Sequence, residues 1–217
     1  MIAFLRAARQ KLGFQPRAAT DVRRRELAGL ARGADPLRVI LGAGPRKQEG
    51  WIDTDIDILD ATQEWQWKEI FGRRKIDSLL AEHVWEHLSL EQAGVANRNC
   101  FRFLKPGGRL RLAVPDGLHP APAYREHVRP GGTGPGADDH KVLYDYRLLP
   151  AMLRAAGFEV VLLEYWDEKP VFHFTEWSPA DGHVSRSKRY DPRNSDGSLS
   201  YTSLIVDAFR PLPPKAY

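Results

Sequence analysis

The chain has 217 residues, 42% hydrophobic and 28% charged, the size and balance of one globular domain. No run approaches the ~20 consecutive apolar residues that a membrane-spanning helix needs. The single cysteine, Cys100, forms neither an internal disulfide nor a CxxC metal site. Without an apolar h-region near the N-terminus no signal peptide is expected, and the setting expected is cytoplasmic.

The net charge of +4 is unevenly placed. Residues 1–32 carry eight basic residues against Asp21 and Glu26, a balance of +6, which leaves the remainder at −2. Residues 1–35 read as a basic N-terminal helical segment and residues 36–217 as one α/β domain. Ile2, Phe4, Leu5 and Leu12 suggest a short amphipathic helix that Pro16 ends. The basic head reads first as a solvated helix face; the alternatives are an acidic partner, anionic lipid or nucleic acid.

From Pro36 onward, short apolar runs alternate with helical periodicity, which argues a sheet with crossover helices. The expected strands are 37–41, 51–56, 76–81, 109–114, 158–165 and 200–209. Ser89 and Gln92 form a capping box for a helix that buries Ala93, Ala96, Cys100, Phe103 and Leu104. Lys105-Pro106-Gly107-Gly108 stops that helix. A second helix starts near Leu148, buries Leu149, Leu153 and Ala156, and ends at Gly157. Two stretches exceed a minimal plan: a Pro/Gly-rich loop at 115–147 and an insertion at 170–198. Segments of this length in a compact domain are usually functional lids or disordered.

The chemistry starts at Gly42-Ala43-Gly44, which closes the first strand and lets a ligand lie close to the backbone. The third glycine of a dinucleotide fingerprint is missing, with Lys47 in its place. The spacing to Asp55 is also too short for that fingerprint, which disfavours NAD and leaves an adenosyl ligand open. Asp55 ends the second strand, where a carboxylate accepts both hydroxyls of a ribose. Asp53 and Asp57 compete for that role, and a turn-capping role for all three is the plain alternative.

These residues sit in stretches that resemble class I S-adenosylmethionine-dependent methyltransferases of the small type 11 sort. The matching segments are L-G-A-G (41–44), G-W-I-D-T-D-I (50–56), A-E-H-V-W-E-H-L (81–88), F-R-F-L-K-P-G-G-R-L-R-L-A-V-P-D (101–116) and L-R-A-A-G-F (153–158). The resemblance implies a Rossmann-like, doubly wound, mostly parallel sheet with an antiparallel C-terminal strand (Y-T-S-L-I-V-D-A-F, 201–209) and helices on both faces. It implies S-adenosylmethionine as cofactor, held by Gly42, Ala43 and Gly44 at its methionine part and by Asp55 at its ribose. Asp60 and Ala61 would flank adenine, while Glu82 and His83 would face the transferring methyl. The chain departs from the pattern at Leu41, where an acid or aromatic is frequent, and in the shortened helix after the glycine turn.

An oxygen acceptor needs its proton taken, which suits a histidine. His83, His119 and His140 are the candidates. His83 and His87, four apart with Glu86 between them, share one face of a helix and have metal-ligand spacing. They resemble, with His83 in place of the first Glu, the E-x-x-E-H cluster of small-RNA 3′-terminal methyltransferases and a quinone-pathway O-methyltransferase group. His119 or His140 would be a fourth ligand. The preferred reading has no metal: Glu86 and His87 cap and pack the start of the helix. Asp116, Tyr144, Tyr146, Trp166, Phe172, Phe174 and Trp177 are candidates to line an acceptor pocket. Trp65 and Trp67 would stack on a flat ligand or pack a short helix, and the basic run 183–194 would receive an anion or stay solvated.

The function expected is therefore methyl transfer to a small-molecule or glycan acceptor, on oxygen or nitrogen. The alternatives are a non-catalytic binding module of the same fold and, last, an RNA methyltransferase that uses the arginine-rich head. Nucleic acid is not the expected partner, because an aromatic-and-basic recognition motif is missing.

Overall fold

Seven strands form one sheet in a computed structural model that describes residues 17–214. They are β1 (Arg38–Leu41), β2 (Ile52–Asp53), β3 (Ile76–Glu82), β4 (Leu104–Pro115), β5 (Glu159–Trp166), β6 (Phe172–Phe174) and β7 (Ser203–Phe209). Their order is β2-β1-β3-β4-β7-β5-β6. β1 pairs in parallel with β2 and β3, and β3 with β4, whereas β7 runs antiparallel to β4 and β5. This is the expected Rossmann-like mixed sheet with a reversed C-terminal strand, the arrangement of the methyltransferase fold. The helix expected over residues 2–12 lies outside the described residues.

Local chemistry explains where strand boundaries moved. The strand expected at 51–56 stops at Asp53, since Thr54 turns in and gives both its N–H and its hydroxyl to Ile40 O. Ala43 N–H then bonds Thr54 O, which ties the glycine turn to the end of β2. β6 is only three residues of a polar stretch, too short for a periodicity to show. It pairs antiparallel with β5 all the same.

Among the described residues five α-helices accompany the sheet: α1 (Arg17–Gly33), α2 (Glu64–Phe71), α3 (Leu90–Phe103), α4 (Pro122–Val128) and α5 (Leu148–Ala155). The capping box at Ser89 and Gln92 is present at the start of α3. Ala93, Ala96, Cys100 and Phe103 are buried on its inner face, and burial pushes the Cys100 thiol far above its ordinary range. α4 interrupts the Pro/Gly-rich loop with Pro122 in its first turn, the one helical place where a missing N–H costs nothing. In α1, Arg24, Leu27, Ala28 and Ala31 are buried at helical spacing. Leu27 and Ala31 join the main core, so this part of the basic segment packs on the domain. Its Arg24 donates to Ile58 O (2.9 Å) and Asp57 O (3.2 Å).

The helices flank the sheet unevenly. Helices α1, α2, α3 and α5 each send buried apolar side chains into one large core with Val39, Leu79, Leu112 and Val206. The alternate strand positions, Ile40, Leu80, Ala113 and Ile205, pack instead with Trp177 and Val184 of the insertion. A loop covers the face where a helix was expected after the glycine turn. A loop has no internal ladder, so its backbone needs partners from elsewhere.

Arg111 supplies one set. It is 1% exposed, pairs bidentately with Asp207 (2.7 and 2.8 Å) directly opposite on β7, and gives Nη1 to Ser178 O and Gly182 O. Its guanidinium lies 4.8 Å from the Trp177 ring centroid. Replacing one partner of such a pair strands the other charge in a dry interior, which typically costs about 3–5 kcal/mol. Arg111→Met is expected to lose that much in urea denaturation, with early protease cleavage between residues 175 and 190.

Candidate functional site

Around β1 the strand order reverses, with β2 on one side and β3 on the other. The crevice beyond the carboxyl ends at such a reversal is where open α/β sheets bind ligands. Four strand ends deliver side chains there: Gly42 to Gly44 after β1, Asp55 after β2, Glu82 and His83 at the end of β3, and Asp116 after β4. Ser203 joins them because β7 is reversed and begins at this edge.

Gly42 and Gly44 have φ of +64° and +55°, a region that strains residues with a Cβ. A Cβ on Gly42 would stand 2.5 Å from Val84 Cγ2, whereas beside Gly44 there is nothing within 4 Å. The first glycine is thus a packing requirement, and the second borders open space. Asp55 turns its carboxylate back to this turn, accepting from Ile56 N–H (2.8 Å) and Gly44 N–H. Burial raises its carboxyl above the ordinary value, opposed by those two hydrogen bonds. Of its competitors, Asp57 is exposed and Asp53 lies in the β2 ladder opposite Ile40.

Asp60 and Ala61 form a capped turn. Asp60 Oδ1 accepts from Thr62 N–H (2.8 Å) and Oγ1 (2.7 Å), and Ala61 O accepts from Asn99 Nδ2 (2.8 Å) and Trp67 Nε1 (3.3 Å). Trp67 is wholly buried against Phe71 and Phe103, so its ring has no face left for a ligand. Trp65 is exposed beneath the Arg24 guanidinium.

Glu82 is committed to the insertion. Its two oxygens accept from Ser185 N–H (3.1 Å) and Arg186 N–H (3.0 Å), and Arg46 Nη1 lies 3.2 Å away. Gln48 completes the strap by exchanging two hydrogen bonds with the His183 backbone. Sequence reasoning missed this use of Glu82, since its partners are backbone groups a hundred residues away.

The histidines do not share the helical face that their spacing suggested. His83 ends the strand with φ +57° and gives its N–H to Ala113 O, and Trp85–His87 is a single 3-10 turn. His83 Nε2 lies 2.9 Å from Ser203 Oγ, and its Nδ1 is 3.3 Å from Glu86 Oε1. Burial, then the charges of Arg186 and Arg46, keep this imidazole well below its usual titration range. Glu86 does not cap α3, because Ser89 does. Its carboxylate is 1% exposed, and neither oxygen has a hydrogen bond. His140 Nε2 stands 4.0 Å from Glu86 Oε1, while the His87 and His140 rings meet edge to face at 4.7 Å. His119 lies apart: Nδ1 accepts from Ala121 N–H, Nε2 bonds Leu199 O, and the ring stacks on Tyr124.

The aromatic candidates for an acceptor pocket are largely structural. Tyr144 is fully buried, Trp166 donates to Thr202 Oγ1, and Trp177 donates to Glu164. Asp116 holds the edge together, accepting from Leu118 N–H (2.9 Å) and Trp166 N–H (2.8 Å). Burial pushes its carboxyl up to about 6 against those bonds.

No family model and no curated protein matches this sequence. Among solved structures, the chain is similar to a SAM-dependent methyltransferase from Archaeoglobus fulgidus at 14% identity, with 87% of this chain and 92% of that one covered and a TM-score of 0.45. It is similar to an S-adenosylmethionine-dependent methyltransferase from Mesorhizobium loti at 15% identity (85% and 96% covered, TM-score 0.46). A third likeness is an O-methyltransferase family protein from Burkholderia thailandensis at 11% identity (89% and 60% covered, TM-score 0.46). Likenesses this distant carry nothing about substrate or activity, and the fold rests on the strand order itself. No helix among the described residues is long and apolar enough to cross a membrane.

Gly42→Ala is expected to cost about 1–3 kcal/mol from overpacking against Val84, beyond the strain of a positive φ. Gly44→Ala is expected to show the strain alone, about 1–2 kcal/mol. Denaturant midpoints of both variants, and of Gly42→Ala with Val84→Ala, check this: the second change recovers part of the loss only at Gly42.

For Asp116 the sign follows from its raised value. The folded protein holds this proton more tightly than the unfolded chain, so stability falls as pH rises from about 4 to about 6 and levels off above. Asp116→Asn removes that contribution. The stability difference between wild type and variant, measured at pH 4, 5, 6 and 7, is therefore expected to drift across this window.

Proposed function

We propose that this protein binds S-adenosylmethionine at the glycine turn after β1 and transfers its methyl group to a small-molecule or glycan acceptor. One observation carries the reading: at the strand-order reversal, Gly44 borders open space and the Asp55 carboxylate folds back beside it. These residues fit the group, because a close backbone and a two-oxygen acceptor are what a ribose needs. When bound, the cofactor supplies an electrophilic sulfonium methyl.

In this reading Gly42, Ala43 and Gly44 shape the floor, Asp55 orients the ribose, and Asp60 and Ala61 border the adenine end. Glu82 acts at one remove, by fixing the insertion over the turn. His83 is the group proposed to take the acceptor's proton, because burial keeps it neutral and Ser203 Oγ adjoins its Nε2. His119 lies apart with both ring nitrogens on backbone groups, and His140 is held through Nδ1 by Val128 O, whereas the ring nitrogens of His83 meet side chains only, Ser203 and Glu86. The basic run 183–194 offers little to an anionic acceptor, because Arg186 lies by Glu82, Arg189 pairs with Glu176 and Arg193 with Asp191.

One observation favours the second reading, a binding module without catalysis. Both oxygens of Glu82, expected to face the methyl, are engaged by the insertion.

Calorimetric titration of S-adenosylmethionine and its demethylated product separates the two. Wild type is expected to bind both at micromolar affinity, about −8 kcal/mol. Asp55→Ala is expected to bind about 10–100-fold more weakly, the worth of one or two charge-assisted hydrogen bonds. Folded wild type that binds neither ligand would overturn the enzyme reading.

A further inference from the structure

Glu86 is the least comfortable residue in the described chain. A carboxylate so buried ordinarily carries two or more hydrogen bonds, yet neither of its oxygens has one, and the nearby His87 Nδ1 has none either. The surroundings are polar and deliberately assembled. The turn at Trp85–His87, closed by His87 N–H on Val84 O, sets Glu86 and His87 side by side at the end of β3. Lys141 and Val142 N–H both bond the Glu86 carbonyl (2.7 and 3.3 Å), which presses the stretch that carries His140 against this turn.

The histidines are prepared in the manner of ligands. His140 Nδ1 lies 2.6 Å from Val128 O, so this nitrogen carries the proton and the Nε2 lone pair faces Glu86. A ring fixed through its other nitrogen is the usual second layer of a metal site. Asp139 Oδ2 stands 3.3 Å from His87 Nδ1, and His83 Nδ1 stands 3.3 Å from Glu86 Oε1. One ligand atom each from Glu86, His87 and His140 lies within 4.8 Å of the others. Ligands on a common ion at about 2.0–2.2 Å stand about 3–4 Å apart, so a small inward closure makes a shared coordination sphere.

We infer that Glu86, His87 and His140 form a binding site for one divalent first-row transition cation, with His83 as the neighbour able to add a fourth nitrogen. Two imidazoles and one carboxylate suit zinc, manganese, iron, cobalt or nickel rather than calcium or magnesium. A cation would satisfy at once the two Glu86 oxygens, to which no protein group among the described residues gives a hydrogen bond. The site lies just past the end of β3, at the same sheet edge as the glycine turn. The inference rests on these side chains alone and not on the methyl-transfer reading.

The test uses the untagged full chain, stripped with chelator and shown to be folded by circular dichroism. Zinc, manganese and cobalt salts are titrated separately by calorimetry, and the cobalt adduct is read by its visible spectrum and by X-ray absorption. The expected result is one ion per chain, at micromolar affinity or better for at least one metal, with nitrogen and oxygen ligands only. Glu86→Gln, which keeps the shape, and His140→Ala are each expected to weaken binding about 100-fold. His173→Ala, at a half-exposed histidine paired with Asp167, is expected to change nothing. Folded wild type that takes up none of the three metals overturns the inference, as does stoichiometric binding that survives in both site variants. If the variants fail to fold, the spectra of the wild-type cobalt adduct decide: two or more histidine ligands support the site, and fewer than two overturn it. Cofactor titration on the stripped protein reports on the methyl-transfer reading separately.

Discussion

Both faces of this seven-stranded sheet are covered, and among the described residues long helices cover only one of them. The other face depends on a buried ion pair. Arg111 and Asp207 face each other across the antiparallel β4–β7 register, and the same guanidinium binds two carbonyls of the 175–190 loop. Arginine suits this work because its planar fork satisfies a carboxylate and still has donors left. Trp177 then seals the position from above, and Ile40, Leu80, Ala113 and Ile205 acquire a cover.

From that anchor the loop runs toward the carboxyl edge, where its backbone meets Glu82. The insertion is therefore structural at one end and part of the site's wall at the other. This explains how the chain does without the long helix that normally follows a glycine turn in such sheets. Its glycine turn is held from below by Thr54 and from the side by Val84, so the backbone geometry a ligand needs does not rely on a helix N-terminus.

The edge also concentrates costly groups. Asp55, Glu86 and Asp116 are carboxyls raised by burial, and His83, His87 and His140 are imidazoles lowered by it. A dry interior disfavours every charged form, so these groups lean toward neutrality together. Asp116 offsets its burial with two backbone donors, and Asp55 does the same. No other described residue donates a hydrogen bond to the Glu86 carboxylate, and that difference between otherwise similar acids singles it out. Perturbed groups gathered in a crevice at one strand edge mark it as a candidate functional site.

Several features were legible in the sequence because they are local. The capping box at Ser89, the inner face of α3, the apolar runs of β1, β3, β4 and β7, and the glycine turn each depend on residues within a few positions of one another. Composition set the class, and the place of Asp55 after the second strand put its carboxylate beside the glycine turn. Only the tertiary structure decided what lies far apart in sequence. It moved His83 and His87 off a common helix, because strand β3 extends through Glu82 and a tight turn follows. It gave Glu82 to the insertion, put Tyr144 and Trp67 in the core, and brought His140 against Glu86 across more than fifty residues. Helical spacing carries no information about such pairings, which are fixed by strand order and by where a loop finds donors for its backbone.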